Sequence, residues 1–322
     1  MRRILFILTL LISLAGMSQQ RGIITNFMTS DYYYNPAIVG SKGISMANVA
    51  YRNQWVGFSG APSLILGNFN GSVKGMGKHG YGVTFVSERT GITQSTAAYL
   101  NYAYHIKLGE KTKLGLGVQP GFLQYRVRLY DAQLADDNDE VLTGTVYSAN
   151  AFDFSTGFNL YHEKFFLMGS IHHLLTDQVK FTTYNSNLES HFTAIAGYNY
   201  KIKKGPLLQP SLLIKYARPV PVQYTAMLKA EFKDKYWIGI QYRSSDAIGL
   251  NLGLHFKERF TVMYAYDYTM SGLSNYQSGS HEIALRIKIT KEKPSLEEED
   301  DKLNNSILDE MKKEMEEREK NK

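Results

Sequence analysis

From residue 43 to residue 290 apolar side chains recur at every second position, in segments of about ten residues. That period belongs to a strand with two different faces, not to a helix. In 247–256, Ile248, Leu250, Leu252, Leu254 and Phe256 oppose Gly249, Asn251, Gly253 and His255. In 151–161, Phe152, Phe154, Phe158 and Leu160 oppose Asp153, Ser155, Gly157 and Asn159. The segments 260–268 and 281–289 alternate in the same way. The pattern predicts fourteen strands: 44–53, 63–73, 80–88, 95–107, 112–127, 150–161, 164–174, 190–202, 207–217, 221–232, 235–243, 247–256, 260–268 and 280–290.

A water-soluble sandwich also alternates, so the faces themselves have to decide. The apolar faces carry Tyr near their ends (Tyr104, Tyr216, Tyr242, Tyr268), as a membrane-interface girdle does. The opposite faces are rich in Gly, Asn and single charges, which suits a crowded polar lumen. Connections sort by parity. Alternate ones are short and Lys-rich (74–78, 109–111, 162–163, 203–205, 233–234, 257–259), and the others include the long loops 128–149, 175–189 and 270–279. Outer-membrane barrels have short periplasmic turns and longer outer loops. The expected fold is therefore all-β: a transmembrane antiparallel β-barrel of about fourteen strands, with both termini periplasmic.

Export fits this fold. Arg2 and Arg3 precede a short apolar run at 4–14, and Gly16 and Ser18 stand at −3 and −1 of a cleavage site before Gln19. No later segment approaches the roughly 18 apolar residues of a membrane helix. A mean hydropathy of −0.28 is compatible with a barrel, whose lumen positions are polar. The chain has no Cys, which excludes a disulfide framework, a thiolate metal site and a lipid-anchored cysteine.

The expected organisation is a signal peptide at 1–18, a plug-like segment at 19–42, the barrel at 43–290 and a charged tail at 291–322. The 19–42 segment, with Tyr32-Tyr33-Tyr34-Asn35-Pro36, is placed in or under the lumen as a packed piece of chain. The tail carries a net charge of −4, and with the signal removed residues 19–290 are left at +8. Turn and lumen lysines account for the basic body, and an exported chain is not a nucleic-acid binder. In the tail, Ser306-Ile307-Leu308-Asp309 resembles a capping box. Ile307, Leu308, Met311 and Met315 form a narrow stripe on an expected periplasmic helix at 307–320, suited to a partner's groove.

Signals of catalysis are poor. There is no H-E-x-x-H string. His172 and His173 are adjacent and should point to opposite faces of a strand. His281-Glu282 lacks a second histidine at helical spacing, and the acidic loop 136–140 lacks the glycine and final Glu of a calcium loop. No catalytic, cofactor or metal residue is assigned, and the chain is expected not to be an enzyme.

Several strings taken in order carry a resemblance. They are Asn35-Pro36-Ala37 with Gly40, and Tyr51-Arg52-Asn53-Gln54-Trp55 with Gly57 and Gly60-Ala61-Pro62. Then come Tyr102-Ala103-Tyr104, Leu114-Gly115-Leu116-Gly117, Ala196-Gly197-Tyr198, Trp237-Ile238-Gly239, Tyr242-Arg243 and Asp246-Ala247-Ile248. Last are Tyr264-Ala265-Tyr266-Asp267 and Gly279-Ser280-His281-Glu282. Together they resemble the PorP/SprF family of Bacteroidetes outer-membrane proteins, over about residues 19–290. The resemblance implies a non-enzymatic role in type IX secretion and gliding motility, in export or surface attachment of adhesin-like cargo. It implies cargo on the outer face, periplasmic ring or motor components, and outer-membrane lipid as partners. A passive outer-membrane channel or uptake barrel is the alternative, and the 19–42 segment discriminates, because a filled lumen does not conduct.

The strand directions bring Arg52, Gln54, Trp55, Pro62, Arg243, Asp246, Asp267, Ser280, His281 and Glu282 to one sector of the outer rim. This sector suits partner docking. It equally suits a closure and plug network in which Arg52, Arg243, Asp267 and Glu282 neutralise one another, since buried charges need partners. The tail stripe is too narrow to support a fold of its own. Truncation after Lys293 should leave a heat-modifiable, membrane-inserted barrel, and loss of insertion would make the tail structural.

Overall fold

The computed structural model describes residues 21–73, 78–128, 146–175, 178–180, 185–232, 235–257 and 259–290. Among them fourteen long strands form one closed antiparallel sheet. They are β1 (Met46–Asn53), β2 (Ser63–Ser72), β3 (His79–Thr90), β4 (Thr93–Lys107), β5 (Thr112–Arg128), β6 (Val146–His162) and β7 (Phe165–His172). The circuit continues with β8 (His191–Tyr198, resumed at Tyr200–Lys201), β9 (Leu207–Ala217), β10 (Gln223–Phe232), β11 (Tyr236–Arg243), β12 (Ala247–Phe256), β13 (Phe260–Thr269) and β14 (Ser280–Lys288). Each strand pairs with the next in sequence, and β14 returns to β1 with Lys288 opposite Met46 and His281 opposite Asn53.

Each expected strand is present, but some edges move. β3 and β4 pair out to Thr90 and Thr93, leaving Gly91 and Ile92 as the turn where a six-residue connection was expected. β6 starts at Val146, opposite Arg128, rather than at 150. In both places the ladder continues beyond the alternating stretch. Alternation is demanded only where one face meets lipid, whereas hydrogen bonding can run on past the membrane surface. The small hairpin of Gln178–Lys180 with Asn185–Asn187 lies in the β7–β8 connection, and the acidic loop 136–140 lies outside the described residues.

The two faces separate as the alternation requires. On β12, Ile248, Leu250, Leu252, Leu254 and Phe256 are exposed outward, while Ala247 and Asn251 are buried inward. Tyr216, Tyr242 and Tyr268 are outward near the long-loop end, and Tyr104 is outward near the other. The inner wall carries amide and hydroxyl ladders. Asn101 donates to Thr84 Oγ1 at 2.9 Å and Gln119 donates to Asn101 Oδ1 at 2.6 Å.

The segment ahead of β1 runs inside this wall. It contains a one-turn helix, α1 (Asp31–Tyr34), and a 3-10 turn at Pro36–Ile38. Asn35 caps that turn: its Oδ1 accepts from Ala37 N at 2.9 Å, and Pro36 takes the first position, where an N–H is dispensable. Asn35 Nδ2 also donates to the β6 carbonyl of Phe158 at 2.7 Å, so the same side chain fastens the turn to the wall. Ile24, Phe27, Tyr32, Tyr33, Tyr34, Ala37 and Val39 are all buried.

The direction of this segment differs from what the strand count suggests. Thr25 and Asn26 bond to Asp267 and Glu282 near the long-loop end, and Tyr34 O accepts from the β7 side chain of Ser170. Val39 O meets His105 Nε2 at 2.8 Å near the short-turn end. Met46 and Lys288 are neighbours, as an even number of strands demands. The chain before Met46 nevertheless threads the lumen, so residue 21 and Lys288 stand at opposite ends of the barrel.

Close passage of the segment requires small residues in the wall. A Cβ on Gly117 would stand 2.4 Å from Ala37 N, against backbone that has no free side to yield. Gly117→Val should displace the Pro36–Ala37 turn at a cost of about 1–3 kcal/mol, the usual range for overpacking. Heat-modifiable migration should persist while protease cleavage between 22 and 45 increases. Unchanged protease resistance would show that the turn does not pack on this wall.

Candidate functional site

Four charges expected at the rim come together inside the barrel mouth. Arg52 on β1 and Glu282 on β14 are register partners across the closing seam, with Nη1 to Oε2 at 3.6 Å. Arg52 Nη2 lies 2.7 Å from Asp267 Oδ2 on β13. Arg243 on β11 reaches the same Asp267 oxygen at 3.0 Å and Asp246 at 2.9 Å. Arg52, Arg243, Asp267 and Glu282 are each no more than 2% exposed.

The lumen segment completes this network. Glu282 accepts from Thr25 N at 2.7 Å and from both Asn26 N and Asn26 Nδ2 at 3.1 Å. Thr25 Oγ1 donates to Asp267 Oδ2 at 2.8 Å and also meets the Arg52 guanidinium. Lower down, Arg286 donates to Thr29 O and to Asn48 Oδ1. Thr25, Asn26 and Arg286 were not singled out from the sequence, because no periodicity marks a residue whose partners arrive from a non-strand segment. Tyr34 closes the segment on itself: its hydroxyl accepts from Ile24 N at 3.0 Å and contacts Ile24 O at 3.2 Å. Burial pushes its phenol up to about 12, which keeps that hydroxyl protonated.

Above the network, the β1–β2 and β13–β14 connections join. Val56 N donates to Gly279 O and Ser278 N donates back to Val56 O, both at 2.8 Å. Gly279 sits at φ +97 with the Tyr266 ring beneath it, a place open only to glycine. Trp55 has φ 48, unusual for a bulky residue, and its N–H donates to Ser280 Oγ at 3.1 Å. Gln54 N donates to Pro62 O at 2.9 Å, closing the base of the loop. The exposed aromatic groups on this platform are Phe58 and Tyr276, with Trp55 half-buried beside them.

The predicted rim set thus divides by face. Arg52, Arg243, Asp267, Ser280 and Glu282 turn inward, with Asp246 beside Arg243 and Gln54 buried at the loop base. Trp55 and Pro62 belong to the loop platform. His281 turns outward, its Nδ1 2.7 Å from the Tyr264 hydroxyl on the lipid-facing side. The tail residues Ile307, Leu308, Met311 and Met315 lie outside the described residues.

One expectation is corrected here. His172 and His173 do not point to opposite faces. β7 ends at His172, and His173 takes φ 57, so the alternation stops there. His172 Nε2 is 2.7 Å from Tyr34 O, while His173 Nδ1 reaches the inward Asp153 at 2.9 Å. Asp153 also accepts from Tyr99 at 2.9 Å.

The whole arrangement — closed barrel, capped Asn-Pro turn, and arginine-carboxylate seam — coincides with the segment recognised by a family model for type IX secretion system membrane proteins PorP/SprF, matched over residues 16–287. The chain belongs to the PorP/SprF family. It is an outer-membrane β-barrel associated with type IX secretion. No curated protein matches the chain. Among solved structures the fold is similar to a Pseudomonas aeruginosa FadL homologue at 10% identity and a TM-score of 0.46, covering 80% of this chain and 93% of that one. It is also similar to the Pseudomonas putida toluene transporter TodX (8%, TM-score 0.44, 84% and 94% covered) and to Acinetobacter baumannii Omp33 (9%, 0.44, 77% and 100%).

Removal of Glu282 tests the seam network. Glu282→Ala removes the acceptor of the Thr25 and Asn26 amides and leaves Arg52 paired with Asp267 alone. Leaving a buried donor unsatisfied costs about 1–3 kcal/mol. The unfolding temperature read from heat-modifiable migration should fall markedly, and residues 22–30 should become accessible to protease. An unchanged unfolding temperature would mean that water already serves these groups.

Proposed function

We propose that this PorP/SprF-family protein is a non-enzymatic component of type IX secretion that serves export or surface attachment of an adhesin-like cargo. The observation that carries this reading is the family match over residues 16–287. In this reading the cargo docks on the aromatic platform of Trp55, Phe58 and Tyr276 over the barrel seam. The long-loop end is assigned to the outside, as in barrels with short periplasmic turns. The short-turn end, where β14 delivers the chain to its charged tail, then faces the periplasmic ring or motor components.

Four features support docking over catalysis or conduction. Among the described residues the ionisable side chains under the platform are committed to one another as ion pairs, and none is held free beside a nucleophile. Trp and Tyr are enriched among residues that dominate binding energy. The lumen is occupied by the segment between residues 22 and 45, which speaks against a passive channel. A left-handed Trp is a strained conformation that has to be maintained by its surroundings, and such strain concentrates at functional positions.

Trp55→Ala is the first test, with Phe58→Ala and Tyr276→Ala as companions. Each variant is checked for unaltered heat-modifiable migration. Loss of a hot-spot aromatic costs about 2 kcal/mol or more, close to a thirtyfold loss of affinity. Cell-surface adhesin should fall and shed adhesin in the medium should rise. Folded variants with normal adhesin retention at all three positions would remove docking from this platform. A large, steady conductance from the intact protein in planar bilayers would restore the channel reading.

A further inference from the structure

A cavity opens in a different sector of the mouth, where residue 21 meets β8, β9 and the connection 218–222. Its lining includes the cations Arg21 and Lys215, with His191 beside them as a neutral acceptor. Lys215 Nζ donates to Arg21 O at 3.3 Å, and Arg21 N donates to His191 Nε2 at 3.3 Å. The Arg21 guanidinium lies 4.2 Å over the Tyr33 ring, and its Nη1 is buried with no hydrogen-bond partner among the described residues. Glu88 stands beside the pair but is engaged by the Tyr33 hydroxyl at 3.3 Å and by the Gly22 amide. Arg243 and its partner Asp246 act on Lys215 with opposite signs.

The same cavity is also lined by the apolar residues Phe192, Tyr216 and Val220. Phe192 and Tyr216 are cross-strand partners on β8 and β9, with ring centroids 6.1 Å apart, and both are exposed on the lipid-facing side. Thr193 and Lys215, the next pair, face inward. The lining thus includes residues of both faces of the wall, the inward Lys215 and the outward Phe192 and Tyr216.

We propose that this cavity binds an anionic amphiphile, with a carboxylate or phosphate head at Arg21 and Lys215 and an alkyl chain along Phe192, Tyr216 and Val220. An anionic acceptor supplies the partner that the buried guanidinium nitrogen lacks, in a charge-assisted bond. The chain gains by covering apolar surface at the rim. A cation pair without the apolar outlet would take any small anion; the outlet selects an amphiphile. The site is independent of the docking platform, because it shares none of Trp55, Phe58 or Tyr276.

The test uses the intact protein in phosphatidylcholine nanodiscs. The probe is dodecanoate carrying a diazirine at the end of its chain, with protein-free nanodiscs as the background. Saturable photolabelling is expected on peptides holding Phe192 and residues 216–221. Unlabelled dodecanoate should compete, and dodecanol, which has the chain without the charge, should not. Arg21→Gln and Lys215→Gln should each weaken labelling by about tenfold, whereas Lys215→Arg, which keeps the charge, should preserve it. Heat-modifiable migration of each variant separates loss of the site from loss of the fold.

Replacing part of the phosphatidylcholine by phosphatidylglycerol distinguishes the two sources of such a ligand. Suppressed labelling assigns the site to a membrane-lipid headgroup, and unchanged labelling assigns it to a free amphiphile. Equal competition by dodecanol, labelling that both glutamine variants leave intact, or labelling no greater than in protein-free nanodiscs would overturn the proposal.

Discussion

A peptide group facing hydrocarbon has no water to bond, so a sheet in the membrane has to close on itself. Here the closure is the β1–β14 seam, eight residue pairs long from Met46–Lys288 to Asn53–His281. Everything else in the molecule is subordinate to that seam. Closure makes one face of each strand a lipid surface and the other the wall of an enclosed space, which is why Leu250 and Asn251 have opposite environments one residue apart.

The enclosed face creates the next requirement. Polar wall groups shielded from bulk water need partners, and a segment of the same chain supplies many of them. Thr25 and Asn26 satisfy Asp267 and Glu282, and Asn35 meets a β6 carbonyl. Arg52 and Glu282 belong both to the seam and to this plug contact, so closing the wall and seating the segment are coupled. Buried ion pairs are weak evidence for stability, because desolvation offsets their attraction. Their use here is to set one arrangement: two arginines from β1 and β11 converge on a single Asp267 oxygen. The loops above the seam inherit that order, and Val56 and Gly279 are joined over it.

Two surfaces of different character therefore share one mouth. The seam side presents aromatic loop residues over a neutralised charge cluster, a surface suited to a protein. The β8–β9 side presents Arg21 and Lys215 near the edge of the lipid-facing wall, the place proposed for a small amphiphile. The first is the surface proposed for cargo docking. The second is a property of this chain's own side chains, Arg21 and Lys215 above all.

The sequence by itself determined the wall. Fourteen strands, their directions and the sorting of loops follow from a period of two, since each residue of a membrane strand answers to lipid or to lumen on its own. The convergence of Arg52, Arg243, Asp267 and Glu282 was also legible, because strand direction and closure are enough to bring them together. Tertiary structure alone decided what fills the space they enclose. Thr25, Asn26 and Arg286 have no repeating pattern, and their roles arise from contacts across more than two hundred residues. The inward turn of His173 depends on one backbone angle at a strand end, the joining of Val56 to Gly279 on two loops without periodicity, and the threading of residue 21 to the far mouth on where a non-strand segment finds partners. Alternation records a residue's solvent; it carries no record of which distant group that residue will touch.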